Sequence, residues 1–149
     1  MARERALPPT YLVTAIVAIL VLHFLVPIAR VVPEPWSYLG AVAICAGVAL
    51  NLVADRAFKR RATTVKPFET PSDLITGGVF RLSRNPMYLG FVLILAGIAV
   101  VLRSLSPYLA VAAFAVAMDR VFIRAEEADL RQQFGEEWLA YRRRVRRWI

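Results

Sequence analysis

The residues best suited to chemistry are Arg84, Asn85 and Pro86, which stand directly before an apolar segment. Asn favours the N-cap of a helix and Pro its first position, so the pair predicts a helix that begins at Pro86. The backbone amides of Met87 and Tyr88 would then point out of the helix end, where a carboxylate or phosphate can bind. Arg84 adds a full positive charge beside them. The alternative is an ordinary capped helix with an arginine that extends to the membrane surface.

A second polar cluster follows near the end of the last apolar segment. Asp119 and Arg120 interrupt that segment, and ionisable groups at such a depth usually face a polar cavity. Arg120, Arg124 and Glu127 are separated by four and three residues, which predicts that they share one helix face. Glu126 is rotated from Glu127 by about 100°, and either carboxylate could accept a hydrogen bond from an ammonium group. The alternative is mutual pairing, of Asp119 with Arg120 and of Arg124 with Glu127.

Four apolar segments surround these clusters. The chain is 58% hydrophobic with a mean hydropathy of +0.54, and a membrane-spanning helix needs about 20 largely apolar residues. The segments that come close are residues 11–29, 36–54, 87–102 and 107–123. Links at 30–35 and 103–106 are short, which predicts that consecutive helices are antiparallel neighbours in two hairpins. Ser106 and Pro107 predict the N-cap and the first position of the fourth helix. We therefore predict an all-α, polytopic membrane helix bundle of about four transmembrane helices, forming one domain over residues 1–149.

The distribution of charge gives the expected orientation. Of the 19 cations, only Arg30 and Arg103 lie in the two short links, and all others, including Arg3, Arg5 and Lys66, fall on the opposite side. The positive-inside rule then predicts a multi-pass protein, in a bacterial inner membrane, with both termini in the cytoplasm. A nucleic-acid partner is not expected despite the net charge of +8, because its basic stripe would need a soluble face.

Two polar stretches flank the third and fourth segments. The link 58–85 contains residues that favour turns and apolar residues that could anchor it, which predicts that it folds back onto the bundle. The turn formers are Pro67, Pro71, Gly77 and Gly78, and the apolar anchors are Phe68, Leu74, Ile75, Val79 and Phe80. After residue 123 the pattern becomes amphipathic, with apolar residues at three- and four-residue steps. We expect Gly135 to divide this segment into two helices, and residues 142–147 to contact lipid headgroups.

Several polar or small residues within the apolar segments allow more than one interpretation. Gly90 and Gly97 lie on one face of the third segment, where they allow either close helix packing or room for a flat ligand. His23 is expected to hydrogen-bond a neighbouring helix, with catalysis as the alternative. Asn51 and Asp55 are expected to link helices.

Two runs together resemble a known family. The first is residues 76–90, TGGVFRLSRNPMYLG; the second is Glu126-Glu127 followed by Leu130, Phe134, Gly135, Trp138, Tyr141 and Val145. Both are similar to the isoprenylcysteine carboxyl methyltransferases and to the related phospholipid methyltransferases. The resemblance covers roughly residues 63–149 and implies an integral membrane enzyme that uses S-adenosylmethionine, with its cofactor in this half.

Carried over by position, the resemblance implies a set of cofactor-binding residues: Leu74, Phe80, Arg84, Asn85, Pro86, Met87, Tyr88 and Glu126. The chemistry agrees, since the cofactor's carboxylate suits Arg84 at a helix end and its ammonium suits Glu126. Asn85 replaces the family's histidine, Phe80 replaces a tyrosine, and Pro71 stands where the eukaryotic carboxyl methyltransferases have another histidine.

The acceptor side is less defined. The family arginine assigned to the substrate carboxylate aligns with Phe122, and Arg120 or Arg124 could substitute for it. Tyr88 or Glu127 could serve an amine acceptor. We expect a lipophilic small molecule or lipid as acceptor and no metal site, with the oligomeric state left open. A scaffold that has lost activity is the main alternative; a four-helix transporter is disfavoured because the first and third segments lack acidic residues.

Overall fold

The computed structural model describes residues 7–63 and 71–149, which leaves Arg3, Arg5, Lys66, Pro67 and Phe68 outside the described residues. Its α-helices are α1 (Pro8–Leu25), α2 (Leu39–Arg60), α3 (Pro86–Leu102), α4 (Pro107–Ala117) and α5 (Arg124–Arg144). Short 3-10 turns precede α2 and α3, and a π-helical segment, Met118–Ile123, joins α4 to α5. The described residues contain no strand beyond one isolated bridge, so the all-α prediction is confirmed.

Two helical stretches are long and apolar enough to cross a membrane, Pro8–Leu25 and Trp36–Arg60. Helix α3 is apolar but has 17 residues, and α4 has 11 before the π-helical segment continues it. By length and composition, the described residues therefore provide two of the four predicted spans.

The helix starts at Pro86 and Pro107 are confirmed, but the side chains before them act differently from the prediction. Neither Asn85 nor Ser106 caps its helix. The Ser106 hydroxyl instead donates to the carbonyl oxygen of Leu22 at 3.0 Å. The Asn85 amide likewise donates to the carbonyl oxygen of Arg147 at 3.0 Å. Both side chains therefore make tertiary contacts and do not cap their helices.

The pairing of the helices confirms one of the two predicted hairpins, since α3 and α4 pack on each other, and corrects the other, that of α1 with α2. Helix α2 packs most extensively on α3, across the long link, while α1 packs on α4 and α3 rather than on α2. Glycines explain the α2–α3 pair: a Cβ on Gly97 would lie 2.6 Å from the carbonyl oxygen of Gly40, and one on Gly90 would lie 2.8 Å from that of Gly47. The two backbones are therefore in direct contact, and Gly90 and Gly97 serve helix packing.

The two short links meet at the end of the bundle remote from the long link. Arg30 and Ser104 form an antiparallel bridge, and the Arg103 guanidinium donates to the Val32 carbonyl at 3.0 Å. His23 Nδ1 lies 2.7 Å from the Ser104 hydroxyl, so the expected hydrogen bond is present, but its partner lies in the loop between α3 and α4 and not in a neighbouring helix. These contacts tie α1 to the loop between α3 and α4.

The long link folds back as predicted within its described residues. Leu74, Ile75 and Phe80 are buried in an apolar cluster with Trp138 and Tyr141 of α5. Helix α5 bends at Gly135, whose φ of 48° and ψ of −118° few L side chains can adopt. The expected division at this glycine is confirmed, and the bend lets the second half of α5 cover the link.

Replacing Gly97 by alanine tests the close helix contact. Because its Cβ would meet the Gly40 carbonyl, the variant should lose about 1–2 kcal/mol of unfolding free energy, after the helix-propensity gain of alanine. Thermal unfolding of the purified protein in detergent measures this loss. Gly77→Ala is the matched control, since Gly77 has open space around it; equal behaviour of the two variants would contradict the packing argument.

Candidate functional site

A cavity of about 330 Å³ opens between the starts of α1 and α3, the long link and α5. All eight residues predicted to bind a cofactor line it: Leu74, Phe80, Arg84, Asn85, Pro86, Met87, Tyr88 and Glu126. The sequence runs 74–88 and 126–141 are thereby brought together around one hollow.

The cavity also has lining residues that sequence reasoning did not assign to it. These are chiefly Leu7, Pro8, Pro9, Phe58, Asp73, Phe91, Asp129, Trp138 and Tyr141. The sequence could have indicated Trp138 and Tyr141, because they belong to the apolar repeat of α5, and Asp129, because it stands one helical turn after Glu126. No local pattern indicated the start of α1, since its position depends on packing against α4.

Arg84 is almost enclosed, with its side chain 7% exposed. Its Nη1 donates to the carbonyl oxygens of Val145 at 2.8 Å and Arg142 at 3.2 Å, and its Nη2 donates to Glu127 Oε1 at 2.8 Å. The guanidinium carbon lies 5.6 Å from the centre of the Trp138 ring. Arg84 Nε is buried and has no hydrogen-bond partner among the described residues, so one donor of this guanidinium is left unsatisfied.

The side chain of Asn85 hydrogen-bonds the segment that follows α5 and does not cap α3. Its Nδ2 donates to the Arg147 carbonyl at 3.0 Å, while its backbone amide donates to Ser83 Oγ at 3.0 Å. The Ser83 hydroxyl in turn donates to the same carbonyl of Arg147 at 3.2 Å. No side chain caps α3, so the helix start borders the cavity without one.

Four charged groups form an ion cluster behind the cavity: Arg84, Asp119, Glu127 and Arg147. Arg147 bonds Glu127 through two nitrogens, Nε at 3.1 Å and Nη2 at 2.5 Å, and its Nη1 lies 2.9 Å from Asp119 Oδ1. Burial would raise the pKa of Glu127, but the hydrogen bonds from Arg147 and Arg84 outweigh it and hold that pKa below its ordinary value. The carboxylate of Glu127 is thus fully used within the cluster.

Arg120 and Arg124, predicted to act on an acceptor, do not line the cavity. The Arg120 side chain is 66% exposed, with its Nε 3.9 Å from Asp119 Oδ2, which matches the predicted Asp119–Arg120 pair. Arg124 does not pair with Glu127 as proposed; its Nε bonds Asp119 at 3.0 Å. The π-helical segment is the reason, because its five-residue repeat brings residue 124 beside residue 119.

Glu126 faces the cavity and has one hydrogen bond, from the Tyr88 hydroxyl to its Oε1 at 2.7 Å. Burial raises the pKa of Glu126, and the charges of Asp129 and Glu127 raise it further, against the lowering effect of the Tyr88 bond. A cation in the cavity would favour the ionised carboxylate.

The remaining wall is aromatic. Phe58 and Phe80 meet edge to face with their ring centres 5.4 Å apart, and the Tyr141 hydroxyl donates to the Phe80 carbonyl at 2.6 Å. Burial raises the pKa of Tyr141 to about 12, so this hydroxyl remains a donor at neutral pH. The cavity therefore offers flat apolar surfaces, the carboxyl groups of Asp73, Glu126 and Asp129 and, among its described lining residues, one cation, Arg84.

The sequence model of the phospholipid methyltransferase family matches residues 35–137, which include the cavity-lining run 74–88 and most of the run 126–141. The chain belongs to this family. The resemblance noted in the sequence is thereby confirmed. Two rice sequences, from Oryza sativa subsp. indica and subsp. japonica, are each 37% identical to the chain over 119 residues.

Both rice proteins are named "Probable protein-S-isoprenylcysteine O-methyltransferase". The matched region covers 75% of this chain and 61% of each rice protein. The chain thus spans less than two thirds of the length of these relatives. Membership in the family supports a methyltransferase as the class of enzyme.

Arg147→Gln tests the ion cluster. It removes three bonds to two carboxylates, and we expect a loss of about 1–3 kcal/mol in unfolding free energy, less than for a fully buried pair because Arg147 is 30% exposed. Glu127, whose pKa is lowered, stabilises the fold above its unfolded pKa, ordinarily 4.5, and that contribution is lost as pH falls. The variant should therefore lose part of the stability difference between neutral and acid pH.

Arg131→Gln is the control for this substitution, since Arg131 is exposed on α5 and its loss should change stability by less than about 0.5 kcal/mol. Denaturation of the purified variants at neutral pH and at about pH 3, well below the ordinary pKa of 4.5, gives both quantities. Identical stability of the two variants at both pH values would show that the cluster contributes nothing.

Proposed function

We propose that the protein is an integral membrane methyltransferase that binds S-adenosylmethionine in this cavity and methylates a lipophilic acceptor. The observation that carries the proposal is the convergence of all eight family-implied residues on one hollow. Family membership supports the reaction class.

The residues present fit the cofactor. The positive charge of Arg84, which lines the cavity, suits the cofactor's carboxylate. The amides of Met87 and Tyr88 at the start of α3, where no side chain caps the helix, are donors for the same group. Glu126 would hold its ammonium group. Phe58, Phe80 and Trp138 provide apolar faces for a flat base.

Bound S-adenosylmethionine supplies a methyl group already activated by a positively charged sulfur. The protein's task is therefore to align donor and acceptor and to exclude water, and such positioning is worth up to about 7–11 kcal/mol. Tyr88 orients the Glu126 carboxylate through its hydrogen bond. The ion cluster fixes Arg84 from behind.

The acceptor would arrive from the membrane beside α1. Helix α1 does not pack on α2, yet Pro8 at the start of α1 and Phe58 near the end of α2 both line the cavity. The space between these two helix ends gives an apolar chain a lateral route to the methyl donor.

The four-span topology is part of the proposal. The starts of α1 and α3 and the end of α2 lie around the cavity, while the two short links meet at the other end. Large apolar side chains are exposed along the helices, such as Val17, Phe24, Val42, Leu52 and Val116. Lipid would cover them, and both ends of the chain would lie on the cytoplasmic side with the cavity.

An amine on a phospholipid-like acceptor is favoured over a carboxylate. Arg84 is the only cation among the described lining residues, whereas Asp73, Glu126 and Asp129 are all acidic. Arg120, Arg124 and Glu127 have no part in the proposed chemistry, because none lines the cavity. Of the four residues predicted to be catalytic, Tyr88 lines the cavity.

Glu126→Gln tests the cofactor site. It keeps the shape but removes the charge that would bind the ammonium group, so the affinity for S-adenosylmethionine should fall by about 1.5–3 kcal/mol, roughly tenfold to 150-fold. Titration calorimetry on the purified protein measures it. Arg142→Gln, an exposed change of the same kind, should leave the affinity unchanged, and equal losses in both variants would refute the assignment. Binding without methyl transfer to a lipid extract would instead support an inactive scaffold.

Cofactor affinity should also depend on pH. Because the pKa of Glu126 lies above its ordinary 4.5, a falling pH neutralises it and weakens binding of a cationic group, whereas a rising pH strengthens it. Measurements from pH 4.5 to about 7 stay below the pKa of the cofactor's α-amino group, about 7.7–8.0. The wild-type affinity should rise over this range and that of Glu126→Gln should rise less; parallel profiles would contradict the role of Glu126.

A further inference from the structure

A second concavity, of about 640 Å³, lies beside the end of α5. Arg84 borders both hollows, but the other walls of this one come from the last turn of α5 and the chain after it. Its polar lining is Asp119, Arg142, Arg143, Arg144, Arg146 and Arg147. We call it the arginine groove.

Two groups of arginines border the groove. Arg84 and Arg147 are neutralised by Glu127 and Asp119 in the ion cluster. Arg142, Arg143, Arg144 and Arg146 are exposed and have no ion pair among the described residues. The groove therefore keeps a strong positive charge after the protein's own pairs are counted.

The end of α5 explains the position of three of these four exposed arginines. Arg142, Arg143 and Arg144 stand in the last turn of α5, where cations interact favourably with the helix dipole. Arg146 lies beyond that turn, after Val145, whose backbone is extended, so the dipole does not explain it. Four like charges at one concavity are better explained by a bound anion.

The location of the groove indicates which anion. Trp148, which also lines it, packs against the apolar cluster of α1, α3 and α4. Asp119 belongs to the π-helical segment at the end of α4. The groove thus lies where the apolar bundle meets its polar end, the level of phospholipid phosphates around a membrane protein.

We propose that the arginine groove binds the headgroup phosphate of one anionic phospholipid from the surrounding membrane. This lipid is distinct from the methyl acceptor, because the groove lies outside the cavity. The inference rests on the membrane placement in the proposed function, but not on cofactor binding or methyl transfer. A free phosphate ion has similar charge chemistry but lacks the acyl chains that the apolar side of the groove would contact.

Native mass spectrometry of the detergent-purified protein tests this. The probes are phosphatidylglycerol and phosphatidylcholine with identical acyl chains, and inorganic phosphate alone. The wild type should prefer phosphatidylglycerol, and Arg143→Gln with Arg146→Gln should weaken its binding by about tenfold or more. The matched control is Arg56→Gln with Arg60→Gln, which removes two exposed charges near the end of α2 and should keep the preference.

Each outcome decides the matter. Equal losses in both double variants, no preference in the wild type, or inorganic phosphate binding as tightly as phosphatidylglycerol would overturn the lipid site. Calorimetry with S-adenosylmethionine on the same samples separates the two proposals. Lipid preference without cofactor binding would refute the proposed function alone, and cofactor binding without lipid preference would refute the groove alone.

Discussion

The pairing of four buried or half-buried charges, Arg84, Glu127, Arg147 and Asp119, is the constraint on which the site depends. Charges removed from water are tolerated only when each has a partner and its remaining donors are bonded. Here two guanidinium groups and two carboxylates meet that condition together. They join the start of α3, the π-helical segment, α5 and the chain after it, and so fix the far wall of the cavity.

The glycine contacts supply the other half of the frame. Gly40 and Gly47 of α2 meet Gly97 and Gly90 of α3 with backbone against backbone, so the start of α3 stands at a fixed distance from the end of α2. The link between them is long enough to fold over the gap, and the second half of α5 covers the link from outside. The cavity is the space left between α2, α3, the long link and α5. Its lining follows from the same contacts, since the Glu127 carboxylate and the carbonyl oxygens of Arg142 and Val145 hold Arg84 at the cavity wall.

Much of this arrangement was predictable from local sequence. Pro86 and Pro107 marked their helix starts, and Gly135 marked the bend in α5, because each limits the backbone in a way that neighbours seldom override. The family motifs predicted which residues would line one cavity. Sequence patterns failed where the outcome depended on long-range contacts. Short links suggested hairpins, but the glycine faces made α2 and α3 the tighter pair.

The polar network was the least predictable part. The π-helical segment changed the phase between residues 119 and 124, so the face assigned to Arg124 was wrong. Arg147 stands among exposed arginines, and nothing local distinguishes it from Arg146. Asn85 has the residue type of an N-cap, yet its amide holds the carbonyl of Arg147. Each of these roles was set by a partner distant in the chain.

The central claim is that residues 74–88 and 126–141 surround a bound S-adenosylmethionine. Photoaffinity labelling with an azido derivative of that cofactor, followed by peptide mass spectrometry, tests it most directly. The account predicts labelled peptides from these two stretches, with labelling suppressed by excess unmodified cofactor. Labelling confined to other parts of the chain, or unaffected by that competition, would contradict it.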